Sequence, residues 1–296
     1  MKSGVSSYCF NPLFTENQIS MMEAITFVGT KTEADCFEPL SRFWDSDRDE
    51  NQQAKEARDL MTEHHLETSC YTLDSNFAVY DEVEYRACIE RCIERLDTAR
   101  LLNTDTIRLD PRSSIPGPPE ETDLDDVLKR IATGMTEITE AAADKGIKVG
   151  VENHGRLLGR TAQTLKIVQL VNKPNFGVNI DFTNFQQVFG EDHVEATRQL
   201  ADCVVHVHAK DFYLSKEPRE GDEWRQIPTG EYARRAIGGE GDMQWSTLFT
   251  ILKQAGYTGT ISLEITDPND IKGSIAKGVA NIKRILAEVE AEIEAE

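Results

Sequence analysis

Short runs of Val, Ile, Leu and Phe recur along the chain, each followed by a longer polar stretch whose apolar positions return every three to four residues. The runs predict strands at Gly4–Cys9, Glu33–Phe37, Glu67–Tyr71, Thr106–Asp110, Lys148–Glu152, Phe176–Asp181, Val204–Asp211 and Thr260–Ile265. The stretches between them predict helices near Glu16–Phe27, Glu50–His64, Tyr80–Leu102, Asp123–Lys145, Thr161–Val171, Asp192–Ala201, Trp245–Gln254 and Lys272–Glu294. Glycine closes two of these helices just before a strand begins, in Asp144-Lys145-Gly146 and Gln254-Ala255-Gly256. Regular alternation of this kind calls for parallel strands with helical crossovers, and eight units predict an α/β fold, a single (β/α)8 TIM barrel. No Gly/Ser linker divides residues 1–296, so one domain is expected. Two segments interrupt the rhythm: a rigid turn, Ile115-Pro116-Gly117-Pro118-Pro119, and a long loop after the seventh strand, residues 212–242, of the kind that serves as a lid or binding element.

Side chains alternate along a strand, so the apolar half marks the face under the helices and the other half points into the barrel. The fifth strand turns Val149 and Val151 outward and Lys148, Gly150 and Glu152 inward, with His154 continuing the inward line. The sixth turns Asn179 and Asp181 inward beneath Val178 and Ile180. In the seventh, Val205, Val207 and Ala209 face out and His206, His208 and Lys210 face in; in the eighth, Ile261, Leu263 and Ile265 face out and Ser262 and Glu264 face in. Glu152, Asp181, His208 and Glu264 therefore meet at the C-terminal mouth of the barrel. Three carboxylates and an imidazole there repel one another unless a divalent cation lies between them. An oxygen-rich set with one nitrogen suits Mn²⁺ or Mg²⁺ best, with Co²⁺, Fe²⁺ and Zn²⁺ also acceptable. The alternative is a set of separate polar groups paired with Lys148, Lys210 or Arg108.

Charge removes whole classes of partner. Against 52 Asp and Glu stand 32 Lys and Arg, a formal charge of −20, and the basic residues form no patch. Nucleic acid and anionic lipid are repelled by such a surface. Apolar residues make up 39% of the chain, enough for a core, yet no run reaches the roughly 20 residues that cross a bilayer. The first residues lack a secretory pattern, and six cysteines without framework spacing fit reduced thiols, so a cytoplasmic protein is expected.

The segments Val151-Glu152-Asn153-His154-Gly155, Asn179-Ile180-Asp181-Phe182, His206-Val207-His208-Ala209-Lys210-Asp211, Gly239-Glu240-Gly241-Asp242-Met243-Gln244-Trp245 and Ile261-Ser262-Leu263-Glu264-Ile265 resemble the sugar phosphate isomerase/epimerase superfamily, the xylose-isomerase-like barrels. That resemblance implies a metal held by Glu152, Asp181, His208 and Glu264, and a small carbohydrate as substrate. In the ketose 3-epimerases of the superfamily the two glutamates also exchange the substrate proton, which makes Glu152 and Glu264 catalytic candidates. Those enzymes carry a substrate-contacting His and an Arg where this chain has Asn184 and Leu214, so its substrate clamp differs. His154 opens a second route, because a similar His is thought to act in the barrel subunit of C-glycoside deglycosidases, which eliminate from 3-oxo-glycosides with a small second subunit. Inosose dehydratases offer another elimination precedent. Glu38, Arg108, Lys210, Asp211 and Trp224, the last beside Arg225 in the long loop, are expected at the substrate, and His206 and Asn153 behind it. Cys88 and Cys92, four residues apart on a helix, are expected to pack rather than ligate. The resemblance also allows a homo-oligomer.

Overall fold

The computed structural model describes residues 1–112, 123–219, 223–264 and 270–295; the Pro-rich turn at 115–119 and Ile265 lie outside the described residues. Strands are β1 (Lys2–Ser6), β2 (Cys36–Glu38), β3 (Glu67–Thr68), β4 (Tyr71–Leu73), β5 (Thr106–Leu109), β6 (Lys148–Glu152), β7 (Phe176–Asp181), β8 (Val204–Ala209), β9 (Phe212–Ser215), β10 (Arg225–Gln226), β11 (Tyr232–Arg235) and β12 (Thr260–Leu263). Helices are α1 (Asn11–Thr15), α2 (Met21–Lys31), α3 (Glu50–Glu63), α4 (Glu82–Leu101), α5 (Leu124–Ala143), α6 (Gly155–Leu158), α7 (Thr161–Val171), α8 (Asn184–Phe189), α9 (His193–Leu200), α10 (Trp245–Gln254) and α11 (Ile271–Ala295).

Several helix starts follow from one side chain each. Asp49, Asp81, Asp123 and Asp192 accept backbone N–H bonds at the first turns of α3, α4, α5 and α9. Ser20 and Glu23 form a reciprocal cap that starts α2 five residues later than the apolar pattern predicts, and α1 is a separate short turn ahead of the predicted helix.

Nine parallel strands form one sheet in the order β3-β2-β1-β12-β8-β7-β6-β5-β4. Its two ends are consecutive in the chain, so β3 and β4 are halves of one barrel strand, and a Leu40–Thr72 bridge spans the break. The fold is the expected TIM barrel. Val149, Val151, Val178, Ile180, Val207, Ala209, Ile261 and Leu263 are all fully buried under the helices, as alternation requires.

Val205 departs from that alternation. The β7–β8 register shifts at Val178/Asn179, pairing Val178 with Val204 and Asn179 with His206. A Cβ added at Gly150 or Gly177, both on inward positions, would lie 2.9 or 2.8 Å from a Val205 methyl. Val205, expected outside, fills the space those two glycines leave, and the bulge that turns it inward keeps His206 and His208 facing in as well.

Residues 212–242, read from sequence as a loop, carry β9, β10 and β11, an antiparallel sheet in the order β10-β11-β9. Phe212, Ile227 and Ala233 form its own small buried cluster, with Leu214 against it. Cys88 and Cys92 are buried on α4 beside Ile89 and Leu96. No helix among the described residues is long and apolar enough to cross a membrane.

Candidate active site

Strand ends β2, β5, β6, β7, β8 and β12 deliver charged groups to one mouth. Ligand atoms of Glu152, His208 and Glu264 lie within 4.8 Å of one another, all buried. His208 Nδ1 is 3.2 Å from Glu264 Oε1 and 3.6 Å from Glu152 Oε2. Asp181 joins this group through Lys210, whose Nζ is 2.6 Å from Asp181 Oδ2 and 2.5 Å from Glu264 Oε2. The other Asp181 oxygen accepts Thr183 N–H and O–H, both at 2.9 Å. Asn153, expected behind the site, ties its strand to the next by bonding both the N–H and the C=O of Asp181.

Arg108, expected at the substrate, pairs within the protein. Its Nε donates to Glu152 Oε2 at 2.6 Å and its Nη2 to the same oxygen and, at 3.2 Å, to Asp110 Oδ2. Burial disfavours the Glu152 carboxylate, but Arg108 and then His208 outweigh it and hold its pKa well below the ordinary range. Glu152 Oε1 accepts from Asn184 Nδ2 at 3.4 Å, so Asn184 touches a carboxylate of the mouth. His154 lies at the mouth, its Nδ1 2.9 Å from Asp110 Oδ2. Burial pulls the His154 pKa down, but the Asp110 bond and charge raise it overall.

Glu38 is fully buried below this layer, with Oε1 taken by Thr72 Oγ1 (2.6 Å) and His208 Nε2 (2.9 Å) and Oε2 by His206 Nε2 (2.7 Å). It was expected to reach a sugar hydroxyl; its oxygens are instead occupied by the chain itself. Asp211, also expected at the substrate, is fully buried, and its carboxylate accepts the backbone N–H groups of Phe212, Gly239, Gly241 and Met243. Lys210, expected near Asp211 or a ligand, contacts Asp181 and Glu264. Trp224 immediately precedes β10, with the Arg234 and Arg219 guanidinium groups 5.8 and 6.0 Å from its ring. Asp110 is the residue that sequence reasoning missed, although it continues the inward line from Arg108 by two positions.

The donor set fits a divalent ion. Five carboxylates, Glu38, Asp110, Glu152, Asp181 and Glu264, face two permanent cations, Arg108 and Lys210. Protonated histidines or a dication must offset the rest. Asn179 Oδ1 is buried beside them with no hydrogen-bond partner, and its Nδ2 lies 3.2 Å from His208 Nδ1.

The family model of the xylose isomerase-like TIM barrel matches residues 30–285. An inosose isomerase of Halalkalibacterium halodurans is 25% identical over 215 residues, covering 71% of this chain and 70% of that protein. An inosose dehydratase of Clostridium perfringens is 27% identical over 139 residues, 46% of each chain, so the match spans less than half of that relative. Among solved structures, the IOLI protein with a binding zinc atom superposes with a TM-score of 0.73 at 17% identity, covering 99% of both chains.

Proposed function

The chain belongs to the xylose isomerase-like TIM-barrel family, and we propose that its mouth binds one divalent ion and moves a proton next to the carbonyl of a sugar or cyclitol, as an isomerase or epimerase. The observation that carries this is the convergence of Glu152, His208 and Glu264 within 4.8 Å, with Asp181 joined to them through Lys210. Those four ligands would hold the ion, Mn²⁺ suiting their oxygen-rich chemistry; the zinc named for the IOLI neighbour supports a divalent ion more generally. When bound, the ion polarises a substrate carbonyl and makes the adjacent C–H acidic. Glu152 and Glu264 take and return that proton through an enediolate. Arg108 keeps Glu152 ionised. Lys210, part-buried at the mouth, places positive charge where the substrate oxygen becomes negative.

A second reading is favoured by the His154–Asp110 pair and by the inosose dehydratase relative. Here His154 removes the proton through Nε2, since Nδ1 is engaged by Asp110, and the substrate then loses water or an aglycone. The protein is a lyase on an oxidised sugar or cyclitol in that case.

Incubation of the Mn²⁺-supplied protein in D₂O with ketoses, inososes and 3-oxo-glycosides, followed by NMR, tests both. Deuterium entry with a new stereoisomer supports the isomerase, and exchange with loss of water or aglycone supports the lyase. Glu264→Gln with unchanged metal stoichiometry and full activity overturns the site.

A further inference from the structure

Resting on the reading that His208 ligates an ion, we propose that Glu38 is the positioning residue that fixes which nitrogen of His208 does so. Glu38 reaches His208 from across the barrel, since β2 is separated from β8 by β1 and β12. An ionised carboxylate only accepts, so the two imidazole nitrogens facing it, His208 Nε2 at 2.9 Å and His206 Nε2 at 2.7 Å, must both carry hydrogens. Thr72 Oγ1 donates to the same carboxylate at 2.6 Å. Glu38, His206 and His208 are all shut away from solvent, so no water competes for these bonds. A neutral His208 with its hydrogen on Nε2 has its lone pair on Nδ1. That atom is the one turned toward Glu264 Oε1 and Glu152 Oε2. A carboxylate behind a ligating imidazole fixes its tautomer and ring plane and strengthens it as a donor. His206, bonded to the second oxygen, together with Thr72 holds Glu38 in place for that task.

The test uses full-length protein labelled with ¹⁵N-histidine and loaded with ¹¹³Cd²⁺, read by NMR without any substrate. Cadmium coupling to His208 Nδ1, with Nε2 still protonated, is expected. Coupling to Nε2 overturns the positioning role alone; no bound cadmium, or none coupled to His208, overturns the metal reading on which it rests. Glu38→Gln sets an amide N–H₂ against one of the two imidazoles, and cadmium affinity is expected to fall roughly 10–100-fold. Folded Glu38→Gln that binds cadmium as tightly as wild type sinks the proposal, and where that variant fails to fold the coupling pattern of the wild-type protein decides.

Discussion

His154 Nδ1 lies 2.9 Å from Asp110 Oδ2, and the same carboxylate oxygen takes Arg108 Nη2 at 3.2 Å. Arg108 in turn grips Glu152. One guanidinium thus couples a candidate metal ligand to the carboxylate that orients an imidazole at the mouth, and rotation of either side chain disturbs both.

From this follows a way to separate the two chemistries. If His154 is the base, His154→Gln lowers deuterium exchange into substrate by roughly 10²–10⁴-fold while metal stoichiometry stays at the wild-type value. Asp110→Asn, which keeps the shape but loses the charge, then lowers kcat about tenfold or more. If the two glutamates move the proton, His154→Gln lowers exchange by less than about tenfold. Exchange rates with metal content measured on the same samples decide.

Lys210 places its ammonium between Asp181 and Glu264, an internal cation of the mouth alongside Arg108. Burial opposes its charge, but Asp181 and then Glu264 raise its pKa well above the ordinary value. Lys210→Met leaves those carboxylates facing each other uncompensated, a change expected to cost about 3–5 kcal/mol in metal-free protein. Divalent ions should then restore more stability to the variant than to wild type. Melting curves with EDTA and with Mn²⁺ check this, and equal metal-induced shifts in Tm for the two proteins count against the site.

The inserted sheet hangs on one side chain. Asp211 caps four backbone N–H groups, from Phe212, Gly239, Gly241 and Met243. A Cβ at Gly241 would meet Asp211 Oδ1 at 2.2 Å, so the backbone approaches the carboxylate as only glycine permits. Asp211→Ala is expected to cost about 3 kcal/mol. Amide exchange should rise first in β9 and β11, while β6 and β7 stay protected. Uniform loss of protection across the barrel would show that Asp211 supports the fold as a whole rather than the insertion.

Where periodicity is strong the sequence is a sufficient guide. Strands β6 and β7 and helices α7 and α10 begin and end where their apolar pattern says, because each is a regular element with one face under cover. The charged residues at the mouth follow from the same alternation. Val205 was misread because a bulge adds one residue to the count, and its only trace in sequence is the pair of inward glycines, Gly150 and Gly177, on neighbouring strands. Alternation also says which way a side chain points but not how deep it sits. Glu38 was therefore expected at a ligand, whereas it meets His206 168 positions away beneath the mouth. The inserted sheet escaped notice for a different reason: β10 is two residues long, and β11 puts arginines at two of four positions, so no apolar run announces either.

The junction of β1, β2 and α11 gives a clear dependence on acidity. Asp35 Oδ2 accepts the Ser3 N–H at 2.9 Å and the Ser3 hydroxyl at 2.8 Å, and Oδ1 pairs with Lys283 of α11 at 3.0 Å, so one carboxylate binds β1, the entry to β2 and the last helix. Partial burial pushes its pKa up, but the Ser3 bonds and Lys283 together bring it below the ordinary 3.8. A carboxyl whose pKa is lower folded than unfolded contributes its stability in full above the unfolded value and loses it as pH falls through the folded one. Wild type should therefore exceed Asp35→Asn in stability by about 1 kcal/mol at pH 7, after allowance for solvent screening of a part-exposed pair. That difference should hold down to about pH 5 and shrink below pH 4. Urea unfolding of both proteins across that range measures it; a gap that stays constant to pH 3 would mean that Asp35 acts through shape alone.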